Sequence, residues 1–517
     1  TYIESTSSTY TFDNLTDTTE YKIKVKVLDS YGRYSTEYLE AIATTTYILP
    51  SVTKVTPTTK YNQITVTTTG TKGTNEISKY YYSINNSSYV EGSSTYTFAN
   101  LNEQTTYTIK VKVADTNGRM SNEYSLSATT DAYKLPTITD VTTSSTYNSI
   151  TINVSGQNGD GTITEYYYSK DNGSNYVKST NSSYKFTELT SNTTFYIKVY
   201  VKDSNGKTSS VFTTSIATTN PTIADFCKNG DTLATCVKNF GNQGPEMSKI
   251  YIHNSQLTNG AGDNSYRYAG ASDQVNNFVC FGSTETPCPT DNLYRIIGVF
   301  EDKVKLIKYD YANSNLLGTN GAYLNDTKYK WSSLKTCPSS LGYVSNNVVF
   351  LAIPEATNEG CNLWNYSDLN KINLNTNYLN NIGTTWSNLI EDATWKVSGH
   401  STRSVTPSEM YTAEITNATK TYGPSDGTSK IGLMYASDYG YAMNSGYNNN
   451  WLFTKGYEWT MTAYSSSRPV NVNYSGGLSN YYAYYGYAVR PVLYLKSNVY
   501  VISGDGSEGN PYKIMLG

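Results

Sequence analysis

The sequence repeats one seven-residue stretch three times, as Tyr21–Val27 (YKIKVKV), Tyr107–Val113 (YTIKVKV) and Phe195–Val201 (FYIKVYV). In every copy apolar and polar residues alternate, which is the period of a β-strand with one buried face and one solvated face. The pattern predicts that Ile23, Val25 and Val27 point into a core while the lysines between them face water. The N-terminal part of the chain is therefore expected to be all-β.

Matching segments surround each strand, so the stretch belongs to a longer repeat. The motif Ser8–Leu15 (STYTFDNL) returns as Ser94–Leu101 (STYTFANL) and, in a shorter form, as Ser183–Leu189 (SYKFTEL). A turn follows each strand, and in two repeats it contains Asn-Gly, a pair that accepts the positive φ angles of a tight hairpin. Short strands between such turns indicate one β-sandwich in each repeat.

The repeats resemble fibronectin type III domains. Leu15 with Tyr21, and Leu101 with Tyr107, have the spacing of that family's tyrosine corner, in which a tyrosine hydroxyl binds backbone upstream of it. Phe195 replaces the tyrosine in the third repeat, so this hydrogen bond is not expected there. The resemblance implies a stalk of spacer domains, and the alternative is that the repeats themselves are binding modules.

Changes in composition and proline-containing linkers divide the chain into five segments. We expect the second half of a repeat, two full repeats, a helical connector and a mixed α and β domain, at residues 1–46, 47–130, 131–219, 220–246 and 247–517. Because the first repeat is incomplete, targeting and anchoring segments are expected to be missing from this sequence.

The overall composition argues against several classes of function. The 517 residues carry a formal charge of -3 and no basic block, so the sequence lacks the electrostatic footprint of nucleic-acid binding. No apolar run reaches the length needed to span a bilayer. The two histidines, His253 and His400, leave little scope for acid–base or metal chemistry. We expect no metal and no cofactor.

The cysteines favour disulfide bonds. All six lie in the C-terminal half, at Cys227, Cys236, Cys280, Cys288, Cys337 and Cys361. They form no Cys-x-x-Cys pair and neither histidine lies near them, so a zinc site is not indicated. An even count without metal spacing favours an oxidising, extracellular setting, with buried thiols in a cytosolic protein as the alternative. We expect the short-range pairs 227–236, 280–288 and 337–361.

A tyrosine-rich segment near the C-terminus is set between two predicted strands, GYEWT from Gly456 and GYAVRPVLYL from Gly486. Four residues of these strands are expected to be buried: Trp459, Val489, Val492 and Leu493. The segment 461–485 is rich in Tyr, Ser, Asn and Gly, the composition of an antibody paratope. It is predicted to form a ligand-binding surface from Tyr464, Asn471, Asn473, Tyr474, Tyr481, Tyr482, Tyr484 and Tyr485. The last four tyrosines are expected to stay exposed. The alternative is an ordinary loop, because the chain holds 52 tyrosines against 12 phenylalanines.

The order Gly456–Thr460 (GYEWT), a polar stretch and Gly486–Arg490 (GYAVR) resembles one branch of the C-type-lectin-like fold. That branch contains formylglycine-generating enzymes and the variable proteins of diversity-generating retroelements, in which the stretch between the anchors faces the ligand. The domain also looks like the C-terminal domain of bacterial surface proteins with fibronectin type III repeats. The enzymatic chemistry requires late cysteines, and none follows Cys361. Arg468–Val470 lacks the carboxylate and amide of a calcium-dependent sugar site.

The C-terminal domain is predicted to mix helices and strands. A hairpin is expected over Asn292–Lys308, a helical segment with a cap at Gly383 over Leu369–Ile390, and a helix opened by the capping box Thr406–Glu409. Short strands are predicted at Lys430–Tyr435, Trp451–Phe453 and Tyr512–Ile514.

Together these patterns predict a multidomain protein with tandem all-β fibronectin type III-like sandwiches followed by an α+β C-type-lectin-like domain. We expect an extracellular, cell-surface adhesin that binds a protein or glycan on another surface. A structural subunit of an extracellular fibre, formed by self-assembly, is the first alternative. A secreted enzyme with accessory repeats is the second.

Overall fold

The computed structural model describes residues 1–335, 360–400, 402–418, 427–443, 449–465 and 467–517, together with the backbone of 343–345 and 348–350. Contacts divide the chain into two compact units, Thr1–Thr218 and Thr219–Gly517. Among the described residues, no helix is both long enough and apolar enough to span a membrane.

The first unit is built only from strands. In chain order they are β1 Glu20–Val25, β2 Tyr38–Ala43, β3 Ser51–Lys60, β4 Gln63–Thr71, β5 Ile77–Ile84, β6 Val90–Gly92, β7 Thr95–Phe98, β8 Thr106–Asp115, β9 Tyr124–Thr129, β10 Thr137–Ser145, β11 Ile150–Gln157, β12 Ile163–Ser169, β13 Val177–Ser179, β14 Ser183–Phe186, β15 Thr194–Asp203 and β16 Phe212–Ala217. Each full repeat packs a three-stranded sheet against a four-stranded one, in the orders β3-β4-β7 with β6-β5-β8-β9 and β10-β11-β14 with β13-β12-β15-β16. The repeats are thus small antiparallel β-sandwiches of fibronectin type III-like build.

The repeated strand behaves differently in the full repeats and in residues 1–46. In β8 and β15 the alternation predicts burial correctly, because both sheets contribute side chains to one core. The inward direction predicted for Val25 and Val27 is wrong, since their exposed fractions are 51% and 68%. Residues 1–46 form only the two-stranded sheet β1-β2, so no second sheet covers these valines.

The tyrosine corners are present where the sequence predicts them. The Asn102 backbone N–H donates to the Tyr107 hydroxyl at 2.9 Å, and the Thr16 N–H donates to the Tyr21 hydroxyl at 2.8 Å. Each holds the bend before the strand in place. Phe195 occupies the matching position of the last repeat and carries no hydroxyl to do so.

Tyrosines in the linkers bind the repeat that follows. The Tyr47 hydroxyl donates to the Asp115 carboxylate, and Arg119 lies 3.8 Å from the centre of its ring. In the next linker the Tyr133 hydroxyl donates to Asp203 at 2.6 Å. Both carboxylates belong to the turn after the repeated strand. The same hydrogen bond, from a linker tyrosine to a turn carboxylate, therefore occurs at two successive junctions.

The second unit mixes short strands with short helices. Its strands are β17 Ile250–Ile252, β18 Tyr266–Tyr268, β19 Phe278–Cys280, β20 Leu293–Phe300, β21 Lys303–Lys308, β22 Tyr323–Asn325, β23 Lys328–Lys330, β24 Tyr343–Ser345, β25 Val348–Phe350, β26 Ala393–Trp395, β27 Gly427–Ser429, β28 Ile431–Gly432, β29 Glu458–Ala463, β30 Pro469–Val472, β31 Leu478–Asn480, β32 Gly486–Ala488, β33 Val492–Tyr494, β34 Val499–Ser503 and β35 Tyr512–Leu516. Its α-helices are α1 Leu233–Gly241, α2 Pro245–Ser248, α3 Ser314–Leu317, α4 Leu379–Ile382, α5 Thr384–Ser387, α6 Pro407–Tyr411 and α7 Ala436–Tyr441. Leu369–Tyr378 and Thr412–Thr416 are π-helical, and Ile223–Phe226, Thr290–Asn292 and Trp364–Tyr366 form 3₁₀ turns.

Two sheets organise this unit. The larger has the order β28-β33-β21-β20-β19-β35-β34, with β18 paired to β20 and β17 paired to β18. The smaller has the order β22-β23-β32-β29-β30-β31. The last strand, β35, runs parallel to β19, and the buried Tyr512 hydroxyl accepts the Ile223 N–H at 3.1 Å. Residues 220–246, predicted to be a connector, lie in this unit and contribute Ile223, Leu233, Val237 and Phe240 to its core.

The disulfide and secondary-structure predictions have mixed outcomes. Cys227 is bonded to Cys236 and Cys280 to Cys288, as predicted. The predicted pair of Cys337 with Cys361 lies outside the described residues, because Cys337 is not among them.

The hairpin β20–β21, the cap at Gly383 (φ 80°) and the capping box at Thr406 are confirmed. The strand predicted at Lys430–Tyr435 shrinks to β28, and the one at Trp451–Phe453 is wrong. The Asn450 side chain accepts the Leu452 N–H at 2.9 Å and holds a turn there.

Candidate functional site

The tyrosine-rich segment rests on a buried frame. Trp459 on β29 is fully buried, and its indole N–H donates to the Tyr329 carbonyl on β23 at 2.8 Å. Val489, Val492 and Leu493 are also fully buried. The predicted burial of all four anchors is therefore confirmed, and both ends of the segment are fixed in the core.

An ion pair inside the frame joins its two ends. The Arg490 guanidinium donates to the Glu458 carboxylate at 2.8 Å, and both side chains are about 1% exposed. The same guanidinium donates to the carbonyls of Leu452 at 2.7 Å and Tyr309 at 3.3 Å. Burial raises the pKa of Glu458, and the Arg490 charge opposes that rise. The pair ties β29 to the short connection between β32 and β33, so the segment between the two strands of the frame is closed at its base.

On this frame six aromatic rings form one continuous surface, which we call the tyrosine patch: Tyr457, Tyr474, Tyr481, Tyr482, Tyr485 and Tyr487. Tyr457 stacks on Tyr487 with ring centres 5.0 Å apart, and Tyr474 follows at 5.7 Å from Tyr457. Tyr487 also contacts Tyr481 at 5.8 Å, and Tyr481 contacts Tyr485 at 4.8 Å. Tyr482 completes the patch at 5.7 Å from Tyr481.

The outer rings of the patch are open to solvent. The exposed fractions are 41% for Tyr457, 66% for Tyr474, 40% for Tyr481 and 50% for Tyr485. Aromatic rings that contact one another and still face water offer a large amphipathic area with few rotatable bonds to fix. The exposed rings of the patch therefore form one amphipathic area at the surface of the second unit.

Cations lie at the edge of the patch. The Arg468 guanidinium lies 4.0 Å from the centre of the Tyr482 ring and donates to its hydroxyl. Lys330 lies 3.9 Å and Lys335 5.6 Å from the centre of the neighbouring Tyr484 ring. A hydrogen bond with Lys330 lowers the pKa of Tyr484. Tyr482 and Tyr484 are therefore half-buried under cations, whereas Tyr481 and Tyr485 are exposed as predicted.

The other predicted site residues are placed as follows. Asn471 is buried, because it is the cross-strand partner of Trp459 and shares its inward face. Asn473 is half-buried, and its side-chain oxygen accepts the N–H groups of Ser475 and Gly477 at 3.0 Å. It thereby shapes the turn that carries Tyr474. Tyr464 is half-buried and packs against a separate small core under β30.

Sequence reasoning missed part of the surface. The sequence pattern assigns Tyr457 and Tyr487 to the anchoring strands, but their rings lie in the centre of the patch. Tyr487 is paired with Tyr329 of β23, and that pairing brings Lys330 to the same edge. The lysines lie more than a hundred positions upstream, so only the sheet order reveals them. Tyr457 and Tyr487 each precede a buried strand residue, Glu458 and Ala488. Strand alternation could therefore have placed both tyrosine rings on the opposite face of the sheet.

Both histidine rings accept hydrogen bonds from backbone N–H groups of the fold. His253 is buried, its ring nitrogen accepts the Ala261 N–H at 3.1 Å, and burial lowers its pKa to about 3. The His400 ring nitrogen accepts the Thr402 N–H at 3.1 Å. Within the part of the chain that the structure describes, no three His, Cys, Asp or Glu side chains group as metal ligands would.

No family model and no curated protein matches the chain. Similar solved structures include a two-domain fibronectin type III segment of chicken tenascin, which is 13% identical, covers 32% of this chain and 99% of its own, and has a TM-score of 0.18. The central fibronectin III array of RIM-binding protein is 14% identical over 33% of this chain and 69% of its own, with a TM-score of 0.14. The first three fibronectin domains of chicken CNTN1 are 16% identical over 40% of this chain and 80% of their own, with a TM-score of 0.17. At these scores the likenesses carry no functional argument, and the sandwich assignment rests on the strand orders.

Proposed function

We propose that the protein is an extracellular binding protein, of adhesin type, whose tyrosine patch captures a protein ligand. The observation that carries the proposal is the unbroken series of ring contacts that joins six tyrosines, four of which are 40% or more exposed. Tyrosine and arginine are enriched at the energetic centres of protein interfaces. The patch offers both, with Arg468 stacked on Tyr482.

The patch is held in a fixed shape before any ligand arrives. Trp459 and Arg490 fix the frame, and the turn that carries Tyr474 is held by the Tyr439 hydroxyl, which donates to the Gly476 carbonyl at 2.9 Å. A surface that needs little ordering keeps more of its contact energy for affinity. This supports binding over a flexible, solvent-filled loop.

The rest of the chain fits a secreted setting and a spacer role for the repeats. The two local disulfides are typical of oxidising compartments. The repeats bury their apolar residues in compact sandwich cores and present exposed ion pairs. We further propose that the second unit is a head domain of the C-type-lectin-like branch. The support for this is the order of the two anchoring strands, which begin at Gly456 and Gly486, on either side of the tyrosine-rich segment.

The test is a binding screen of the full chain against an array of extracellular protein domains and an array of glycans. A variant carrying Tyr481→Ala and Tyr485→Ala should lose tenfold or more of its affinity for any protein hit. Tyr31→Ala is the matched control, because Tyr31 is 84% exposed and lies outside the patch. Binding that survives the double change, or that is lost equally in the control, would refute the assignment. If only glycans bind, the ligand is a sugar and the proposal of a protein ligand is wrong.

A further inference from the structure

One edge of the tyrosine patch is formed by segment 482–484, which runs between two other stretches of backbone. The Ala483 carbonyl accepts the Ser332 N–H at 3.0 Å, and the Ala483 N–H donates to the Ser467 carbonyl at 2.8 Å. Because hydrogen-bonded extended segments lie about 5 Å apart, the two flanking backbones are about 10 Å apart. Whatever side chains these backbones carry therefore lie on opposite sides of the same tyrosines.

Both flanking stretches carry cations, which we call the basic rim: Lys330, Lys335 and Arg468. The two lysines stand on either side of Ser332 in the sequence, and both lie over the Tyr484 ring. Arg468 follows Ser467 and lies over the Tyr482 ring. Lys335 is exposed, and Lys330 and Arg468 are half-buried. All three side chains keep contact with solvent, so a ligand seated on the patch can meet them.

The positive charge of the basic rim is not paired within the residues that the structure describes. There the ion pairs of the second unit use other cations: Arg267, Lys303, Lys305, Lys308 and Arg490. The Asp368 carboxylate approaches the first flanking stretch and accepts the Ser333 hydroxyl. A hydrogen bond from Lys330 and the charges of both lysines lower the pKa of Tyr484. A surface with this excess of positive charge attracts an acidic partner.

We propose that the ligand of the tyrosine patch is a protein with an acidic segment, which lies across the basic rim. The inference rests on the proposed function, because it names the chemistry of the partner for the same surface. Apolar side chains of the partner pack on the tyrosine rings, and its carboxylates accept hydrogen bonds from the rim. An extended peptide advances about 3.3 Å per residue, so carboxylates about three positions apart reach both sides of the rim.

The experiment probes the full chain with an array of short synthetic peptides of random sequence, graded by net charge. We expect binding to rise with the number of aspartates and glutamates, and to be strongest where two of them stand about three positions apart. The strongest peptide is then compared in solution with its asparagine and glutamine analogue. The analogue should bind about tenfold more weakly, because it lacks the charge-assisted hydrogen bonds.

Variants of the rim locate the charge effect. Lys330→Gln combined with Arg468→Gln should weaken binding of the acidic peptide about tenfold, reduce its sensitivity to salt, and leave the neutral analogue unchanged. Lys335→Gln, at an exposed side chain, should have the same effect to a smaller degree. The matched control is Lys371→Gln, because Lys371 also lies over a tyrosine, 5.2 Å from the centre of the Tyr366 ring outside the patch. Unaltered tryptophan fluorescence and melting temperature show that each variant is folded.

The outcomes separate this inference from the proposed function. Binding that is lost with Tyr481→Ala and Tyr485→Ala but ignores peptide charge, or that favours basic peptides, overturns the acidic partner and leaves the patch as the binding surface. Binding confined to sulfated or sialylated glycans overturns the acidic protein segment as well. If no domain or peptide binds in a way that depends on the two tyrosines, the proposed function itself fails.

Discussion

The two units differ in how deeply their ion pairs are buried. In the repeats the ion pairs lie at the surface, as with Lys79 and Glu91, which are 50% and 53% exposed. In the second unit, pairs such as Arg490 with Glu458 are fully enclosed. The repeats close most of their backbone hydrogen bonds in long regular ladders, and their buried carboxylates, Asp115 and Asp203, lie at turns. The second unit has short strands and many irregular segments, whose buried carbonyls need other donors.

Buried arginines provide those donors. Arg295 donates to the Val275 carbonyl at 2.7 Å, and Arg490 donates to the Leu452 carbonyl at the same distance. Each guanidinium has five N–H groups in a fixed plane, so one side chain can satisfy several carbonyls at once. The comparison shows that interior charge in this protein accompanies irregular backbone.

Arg490→Met should have the largest effect on this contrast. It leaves the Glu458 carboxylate buried without its partner and removes donors from two carbonyls, so the second unit should lose about 3–5 kcal/mol of unfolding free energy. All six tryptophans lie in this unit, so fluorescence during urea denaturation reports on it alone.

The matched control for Arg490→Met is Lys79→Met in the repeats. That change breaks an exposed pair and should alter stability by less than about 1 kcal/mol in calorimetry. Similar losses in the two variants would mean that burial does not distinguish the units.

Glu414→Gln should stabilise the second unit at neutral pH. Burial raises the pKa of Glu414 to about 8 from an ordinary value of 4.5, so the folded protein keeps a proton that the unfolded chain releases. Stability of the parent protein therefore falls as pH rises from 4.5 to 8. The amide takes up no proton and still accepts from the Thr462 hydroxyl.

The expected gain from Glu414→Gln is near zero below pH 4.5 and about 3 kcal/mol at pH 7. Urea denaturation followed by tryptophan fluorescence at several pH values measures it. A gain that does not change with pH would contradict a protonated Glu414 and point to altered packing alone.

Tyr107→Phe tests the regular half of the molecule. The change removes the hydroxyl that accepts the Asn102 N–H at 2.9 Å, so the repeat should lose about 1 kcal/mol. Calorimetry of the full chain can follow the transition of the repeats. The reciprocal change, Phe195→Tyr, should leave the last repeat at least as stable. If both variants melt like the parent, the corner bond contributes nothing measurable.

Tyr481→Ala with Tyr485→Ala should have the smallest effect on stability. Both rings are 40% or more exposed, so the unfolding free energy should change by less than about 0.5 kcal/mol. Tryptophan fluorescence in urea measures it, next to the binding assay. A loss of several kcal/mol would show that the patch is part of the core.

The sequence was most informative where one period governs many residues. Alternation in Tyr107–Val113 was enough to identify a strand and its buried face, because a sandwich repeats the same environment along the strand. The same reasoning failed at Val25, where burial depends on a second sheet that residues 1–46 do not contain. Local pattern indicates which face prefers burial, and partner strands determine whether burial occurs.

The candidate site was predictable only in part. Composition identified the tyrosine-rich segment, and it placed Tyr481 and Tyr485 on the surface correctly. It could not show that Asn471 turns inward, because that depends on its register opposite Trp459. It also could not bring Lys330 to the patch, since this requires β23 to pair with β32.

The parallel pairing of β35 with β19 sets the order of events during synthesis. Tyr512 meets Ile223 across 289 residues, so the second unit cannot close until almost its whole sequence has left the ribosome. Each sandwich, in contrast, draws its core from one repeat and can fold while translation continues. A nascent chain would thus carry finished repeats ahead of an open second unit. During that interval the second unit is the part of the chain most in need of protection from aggregation.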